Sequence, residues 1–542
     1  MSVHSETASA LFEHAFKAYP TRAAFTCLGS TLTFKDVDDR SAALAAFFIH
    51  GLKLQAGDRI ALQLPNICQY PIAIYAAMRA GLVVVNVNPL YSSRELCHQL
   101  KDSGAKALIV LANVAHEVST IIDQTPIEHV IVTEIADSMP WPKRSLVNFV
   151  IKHVKKMVPA FSFHKSISFL DALKQGGQLL SQHGATVTET SPDDLMVLQY
   201  TGGTTGLAKG AMLTQHNLYS NVVQMKEHMP EFFSADVETF AAPLPLYHIY
   251  ALNLHVLAGF SNGAHSILIP NPRDLPALFK AFEPFKITVF VGLNTLFNAM
   301  MHHPLFDSFD SSSLKVTSAG GMALTSETAR LWQERTHCNI SEGYGLTETS
   351  PIVSSNKIDA IQMGTIGTPL PNTQVRVINE EGVVLPEGEA GELCVKGPQV
   401  MKGYWGKPEA TAEVLDDEGW FRTGDIAVIQ PDGYIKIVDR KKDMIIVSGF
   451  NVYPNEVEDV AMTHPEIMEA AVIGVPQASG GEIVKIFVVA ENPGLSEEDV
   501  ISYCRENLTA YKAPKLVEFR KELPKSNVGK ILRRELRDNN VT

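Results

Sequence analysis

From Thr33 onward the apolar positions switch between two spacings. Phe34 to His50 and Tyr70 to Ala80 repeat them at helical intervals, whereas Ile60 to Leu64, Val83 to Val87 and Ala107 to Leu111 are short, β-branched apolar runs. Ser92 followed by Glu95 has the form of a capping box and predicts a helix through Leu100. Strand-like runs separated by amphipathic helices predict a multidomain α/β protein whose larger part is a layered fold with mostly parallel strands. Leu314 to Val316 reads as one more strand, followed by the small-residue turn Ser318 to Met322.

After Gly364 the pattern shortens. Gln374 to Ile378 and Gly391 to Lys396 read as strands, and Asp432-Gly433 between Ile426 to Ile429 and Tyr434 to Val438 is a hairpin signal. We read 364–439 as a small β subdomain completing a large N-terminal domain, 1–439. Asp439-Arg440-Lys441-Lys442-Asp443 is a charged break. Beyond it Ile445 to Val447, Glu456 to Thr463, Ala471 to Ile473 and Lys485 to Val489 predict a small α+β C-terminal domain, 444–542.

The chain has 542 residues, is 45% hydrophobic and 19% charged, and carries a formal charge of −13, which argues against nucleic acid as its partner. Its six cysteines form no CxxC pair, so they read as reduced thiols of a cytoplasmic protein. Met1 to Phe16 lacks the form of a secretory signal, and the most apolar stretch, Ile72 to Val87, is broken by Arg79 and Asn86. Trp141 to Lys165 departs from this acidic background. It holds Lys143, Arg144, Lys152, Lys155, Lys156 and Lys165 with no acidic residue, interleaved with Leu146, Phe149, Val154 and Met157. Such a basic amphipathic segment suits an anionic membrane surface; the alternative is a surface helix whose apolar face packs on the core.

Candidate chemistry centres on Tyr200-Thr201-Gly202-Gly203-Thr204-Thr205-Gly206-Leu207-Ala208-Lys209-Gly210, which follows the strand-like Leu195 to Leu198. Glycines let backbone N–H groups approach an anion, and threonine hydroxyls and a lysine add donors and charge. Ala208 and Gly210 around Lys209 exclude a Walker A loop, so this is a phosphate loop of another kind. Gly343-Tyr344-Gly345-Leu346-Thr347-Glu348 offers a flat ring to a base and oxygen ligands to Mg²⁺. Asp425, in Thr423-Gly424-Asp425, is placed to accept from ribose hydroxyls; a surface turn is the alternative. Lys530, in Pro524 to Lys530, would by itself be a solvated surface charge.

Taken together and in order, these motifs resemble the adenylate-forming superfamily of acyl-CoA synthetases, adenylation domains and luciferases. Asp417 to Lys441 is similar to the signature of its fatty-acyl-CoA synthetases, and the whole chain resembles the long-chain fatty-acid CoA ligases. The resemblance implies ATP-dependent activation of a fatty acid through an acyl-adenylate, then transfer to CoA with release of AMP and pyrophosphate. ATP and CoA are then co-substrates, and Mg²⁺ the cofactor. By resemblance Lys530 bridges carboxylate and α-phosphate, Thr201 and Glu348 hold Mg²⁺, and Thr204, Thr205 and Lys209 hold the outer phosphates. Tyr344 lies on adenine, while Asp425 and Arg440 grip the ribose side. Gly202, Gly203, Gly206, Gly320, Gly321, Gly343, Gly345 and Thr347 complete the nucleotide site.

His248, in Ala242-Pro243-Leu244-Pro245-Leu246-Tyr247-His248-Ile249-Tyr250, is either a packed histidine or a catalytic one, and the resemblance favours the second. The same loop, through Tyr247, Tyr250 and Leu252, would border the acyl pocket with Gly292 and Asn294. Leu252 stands where some relatives have a tryptophan gate. Relatives rotate the small domain about a hinge within 440–443, at Lys442 here, which withdraws Lys530 and brings Ser448, Gly449 and Phe450 to the CoA thiol. The resemblance also implies peripheral attachment to the inner face of the cell membrane and admits a homodimer. Two other readings stand beside it: an adenylating enzyme with a carrier-protein acceptor, and a non-catalytic nucleotide sensor.

Overall fold

The computed structural model describes residues 6–185, 187–201, 208–233, 237–447, 450–477, 482–492, 494–526 and 529–538. Two large sheets with parallel centres build the first four hundred residues. One has seven strands, in the order Ile167–Ser168, His129–Thr133, Ala107–Leu111, Arg59–Gln63, Val83–Asn86, Leu195–Thr201 and Lys209–Thr214. All its neighbours are parallel except the last pair. The other has nine strands, parallel through Ala23–Cys27, His265–Leu268, Thr239–Ala242, Val289–Gly292, Val316–Ala319 and Ile340–Gly345, with antiparallel pairs at both edges. Helices cover both faces of such sheets, so the strands are continuous apolar runs; all five residues of Ala107–Leu111 are buried. The expected α/β architecture is observed.

Local signals act as chemistry requires. Ser92 and Glu95 exchange side-chain and backbone bonds to cap the helix Ser93–Ser103. Gly433, at φ +84°, turns the chain between Phe421–Ile429 and Ile435–Arg440, in the four-stranded antiparallel sheet that starts at Gln374–Ile378. From Ile445 the chain forms its own core, in which Ile445, Val457, Val472, Ile486 and Val500 pack together. One expected strand is misplaced. Instead of Leu314 to Val316 it spans Val316–Ala319, because Thr317 and Ser318 are buried between the neighbouring parallel strands, and the turn begins only at Gly320. The basic segment is also shorter as a helix than its composition suggests: an α-helix covers Lys143–Phe149 and a wider π-helical turn Val150–Val154.

The two sheets are joined by buried amides. Asn66, just past Arg59–Gln63, donates to the carbonyls of Ala242 and Leu244 at 2.9 and 2.8 Å and accepts from Leu246 N–H at 2.8 Å. Gln199 donates to the Tyr247 carbonyl at 3.0 Å and is itself held by Asn86 at 2.9 Å. The first sheet thus dictates where the 242–248 loop of the second sheet lies. Asn66→Ala would remove three hydrogen bonds and strand the Leu244 carbonyl and the Leu246 N–H, the Ala242 carbonyl keeping its bond from Ile269 N–H at 3.2 Å, and we expect it to lower the stability of this part of the fold by about 2–4 kcal/mol, read as a lower urea midpoint.

Candidate active site

In open α/β sheets ligands gather beyond the carboxyl ends of the strands, and the chemistry-bearing stretches sit there. Thr201 ends Leu195–Thr201, the Pro243 to His248 loop follows Thr239–Ala242, Leu293 follows Val289–Gly292, Gly320 follows Val316–Ala319, and Tyr344 and Gly345 end Ile340–Gly345. Thr201 pairs with Lys209 across an antiparallel hairpin, so the phosphate loop joins two strands rather than a strand and a helix. Gly202, Gly203, Thr204, Thr205 and Gly206 lie outside the described residues, as do Ser448 and Gly449.

Lys530 is not a solvated surface charge. Its loop closes as a tight turn, in which Gly529 N–H donates to the Ser526 carbonyl at 2.9 Å and Ser526 N–H to the Lys530 carbonyl at 2.7 Å. Gly529 has φ +81°, and a Cβ there would lie 3.0 Å from Thr295 Oγ1, so only glycine suits both the turn and its close approach to the first part of the chain. The Lys530 side chain passes over Gly321, whose Cβ would sit 3.7 Å from Cε. Burial, and then the Arg440 guanidinium, lower the Lys530 pKa to about 8, while Asp425 and Glu348 oppose them.

Asp425 and Arg440 face each other in register on adjacent strands and pair at 3.3 Å. The other Asp425 oxygen accepts from the Tyr344 hydroxyl at 2.5 Å. Glu348 lies in a short 3₁₀ turn over Thr347–Thr349 that packs on both strands of the phosphate hairpin, Leu195–Thr201 and Lys209–Thr214. It is 9% exposed, burial raises its pKa, and one oxygen accepts from the Tyr404 hydroxyl at 2.8 Å. The Lys209 ammonium stands 5.1 Å from the centre of the Tyr404 ring. One carboxylate with oxygen capacity to spare, on a turn packed against the hairpin strand that Thr201 ends, is oxygen chemistry that suits a hard divalent cation also bound by phosphates.

His248 caps the turn Ile249–Ala251, its Nδ1 accepting from Tyr250 N–H at 3.4 Å. Burial, and then the Lys530 charge, push its pKa down to about 3, so at neutral pH it is an uncharged imidazole. The Tyr250 ring lies against Gly320, where a Cβ would meet it at 3.0 Å. Leu252 is fully buried within the π-helical stretch Leu252–Gly259, and Gly292 adjoins the Phe297 ring. The Asn294 side-chain oxygen, Oδ1, is occupied by Thr325, through N–H at 3.0 Å and hydroxyl at 3.2 Å. Lys442 is exposed, yet partial desolvation and then Arg440 lower its pKa to about 8. Phe450 is exposed and stacks on Tyr511 at 5.0 Å.

Residues 12–405 match the model of the AMP-binding enzymes, and residues 456–530 that of the AMP-binding enzyme C-terminal domain. The chain belongs to the AMP-binding enzyme family. It is 49% identical over 529 residues to a long-chain-fatty-acid–CoA ligase of Escherichia coli O6:H1, covering 97% of this chain and 93% of that one. It is 47% identical to a protein of the same name from Yersinia pestis, covering 98% and 94%. Among solved structures it resembles ATP-bound MatB from Rhodopseudomonas palustris, with a TM-score of 0.81, 28% identity, and coverage of 98% and 99%.

Within this family fold three site residues escaped the sequence reading. Tyr404 carries no motif of its own; it comes to Glu348 because 401–405 runs alongside Lys209–Thr214, with Trp405 N–H donating to the Gly210 carbonyl and Met212 N–H to that of Gly403. Asn66 follows an apolar strand and Gln199 lies within one, and neither gives a signal beyond being polar in an apolar run. The charge balance at Lys530 makes two opposite predictions. Removing the Arg440 cation by Arg440→Ala should raise the Lys530 pKa above about 8, and Glu348→Gln should lower it. Site-resolved amine labelling of Lys530 against pH measures both.

Proposed function

We propose that this chain is a long-chain fatty-acid CoA ligase that first makes acyl-AMP and then the CoA thioester. The observation that carries the reading is Lys530, delivered by the C-terminal unit to the carboxyl ends of the strands, beside Arg440, Asp425, Glu348 and His248. The family, and the relatives named for this activity, support it.

In the first half-reaction a fatty carboxylate oxygen attacks the α-phosphorus of ATP, and pyrophosphate leaves. Negative charge accumulates between carboxylate and phosphate, so catalysis rests on positioning and electrostatic stabilisation. Lys530 donates to both groups from a partly desolvated position where its charge acts strongly. Lys209 faces the outer phosphates, with the threonines of the loop. Asp425 accepts from ribose hydroxyls and is held for this by Tyr344 and Arg440. His248, being neutral, lines the acyl carboxylate without competing for it as a second cation. Glu348 and Thr201 would hold Mg²⁺, which when bound offsets phosphate charge; Tyr404 keeps Glu348 aimed. In the second half-reaction the CoA thiol attacks the acyl carbonyl and AMP leaves. Rotation of the 444–542 domain about Lys442 withdraws Lys530 and opens the thiol path past Gly449.

The proposal extends to the membrane. No helix among the described residues is long and apolar enough to span one. The basic segment instead exposes Trp141 by 75%, Leu146 by 65%, Phe149 by 57% and Val154 by 65%, among Lys143, Arg144, Lys152 and Lys155. Apolar side chains left in water among cations suit an anionic bilayer surface.

Palmitate, ATP and Mg²⁺ supplied with and without CoA test the activity. Palmitoyl-CoA should form only with CoA, and Lys530→Ala should slow acyl-AMP formation at least a hundredfold, on the order of one lost transition-state contact. Adenylate without thioester would instead point to another acceptor. Cosedimentation with phosphatidylglycerol vesicles tests the surface: the double variant L146E/F149E should weaken binding about tenfold or more and leave turnover of a short soluble fatty acid unchanged. Equal binding by both proteins would remove 141–165 from the proposal.

A further inference from the structure

The helix Pro454–Met462 of the C-terminal unit begins without a cap of its own. Its N-cap position is Tyr453, which makes no side-chain capping bond, and Pro454 follows. The acceptor for its first turn comes from the other side of the hinge. Asn455 N–H donates to Asp439 Oδ2 at 2.8 Å, and Asp439 is the penultimate residue of the strand Ile435–Arg440 of the β subdomain. A carboxylate accepting from the first turn of a helix also meets the positive end of its dipole. Asp439 is completely buried, its other oxygen accepts from Arg440 N–H at 2.7 Å, and the Arg533 guanidinium faces it at 3.6 Å. The Asn455 side chain adds a bond to the Val438 carbonyl at 3.4 Å.

These contacts differ in kind from the rest of the ion cluster at the hinge. Arg533 pairs with Glu458 at 2.6 Å and Asp443 at 3.6 Å, and Arg537 pairs with Asp443 at 2.7 Å. Those partners all lie after Lys442 and travel together if the chain turns there. Asp439 and Val438 lie before it. A turn at Lys442 therefore breaks the Asp439 contacts with Asn455 and Arg533, uncapping the helix and taking a buried carboxylate from its partners, while the remaining pairs persist. Arg533 is also three residues from Lys530, so the same contacts fix the root of the loop that carries it.

We propose that Asp439 is a positioning residue: a latch that caps the helix Pro454–Met462 across the hinge and holds the C-terminal unit in the orientation that presents Lys530. The inference rests on the two-step reading above. Losing the latch lowers the population of this orientation, so it slows the step that needs Lys530 and spares the step that needs it gone.

The test uses the full chain with Asp439→Ala and Asp439→Asn. Palmitate-dependent ATP–pyrophosphate exchange reports the first step, and thioester formation from synthetic palmitoyl-adenylate and CoA reports the second. Asp439→Ala should slow exchange about tenfold with the second step at or above the parent rate. Asp439→Asn, which keeps an oxygen for Asn455 N–H, should slow exchange less. Equal losses in both steps, or no loss in exchange, overturns the latch. Spin labels at M363C and M468C, on exposed positions either side of the hinge in a C97S background, report orientation without any chemistry. Asp439→Ala should broaden or shift their distance distribution, and an unchanged distribution overturns the proposal. If the parent makes no thioester, the two-step reading fails, while exchange and the label distances still decide the latch.

Discussion

A lysine brought out of water towards an arginine is under electrostatic stress, and the site is arranged around that stress. Lys530 comes from the far end of the chain and meets Arg440, with Asp425 and Glu348 giving only part of the compensation. Each carboxylate is shared: Asp425 between Arg440 and Tyr344, Glu348 with Tyr404. On the proposed reading, the positive charge in excess is what a polyphosphate substrate neutralises. The site is therefore more stable with its anionic ligand than without, as a nucleotide site should be.

The frame that bears this stress is rigid where the chemistry is not. Parallel strands with both faces covered fix the carboxyl ends from which Thr201, His248, Gly320 and Tyr344 emerge. Asn66 and Gln199 transmit the position of one sheet to the loop of the other through bonds of 2.8 to 3.0 Å. By contrast the Lys530 loop touches the frame through a glycine turn, and the connection at Lys442 is held by ion pairs and one borrowed helix cap.

Much of this was legible beforehand, wherever the signal is local. The Ser92–Glu95 box, the Asp432-Gly433 turn and the strand Ala107–Leu111 depend on neighbours in sequence, and each appears as read. The motifs that carry the family resemblance were legible for the same reason. Long-range pairing was not. Tyr404 reaches Glu348 only because its segment lies along a distant strand, and a buried Thr317 or Ser318 passes for a turn residue until its parallel neighbours are known. For the 141–165 segment, composition left membrane and core packing open; solvent exposure of Trp141, Leu146 and Phe149 is a tertiary fact.

The hairpin beneath the phosphate loop has one more consequence. The next helix, Gln215–His228, starts at the far end of Lys209–Thr214, so the helix that follows the loop in sequence does not begin at it, as it would in a strand–loop–helix phosphate site. On the proposed reading the grip on the phosphates falls instead to the side-chain cations Lys209, Arg440 and Lys530, carried on three separate parts of the chain. Such a grip is conditional on the charge it holds. When pyrophosphate departs on the proposed pathway, the Lys530 ammonium and the Arg440 guanidinium lose part of the charge that offsets their mutual repulsion, so product release itself favours the withdrawal of Lys530.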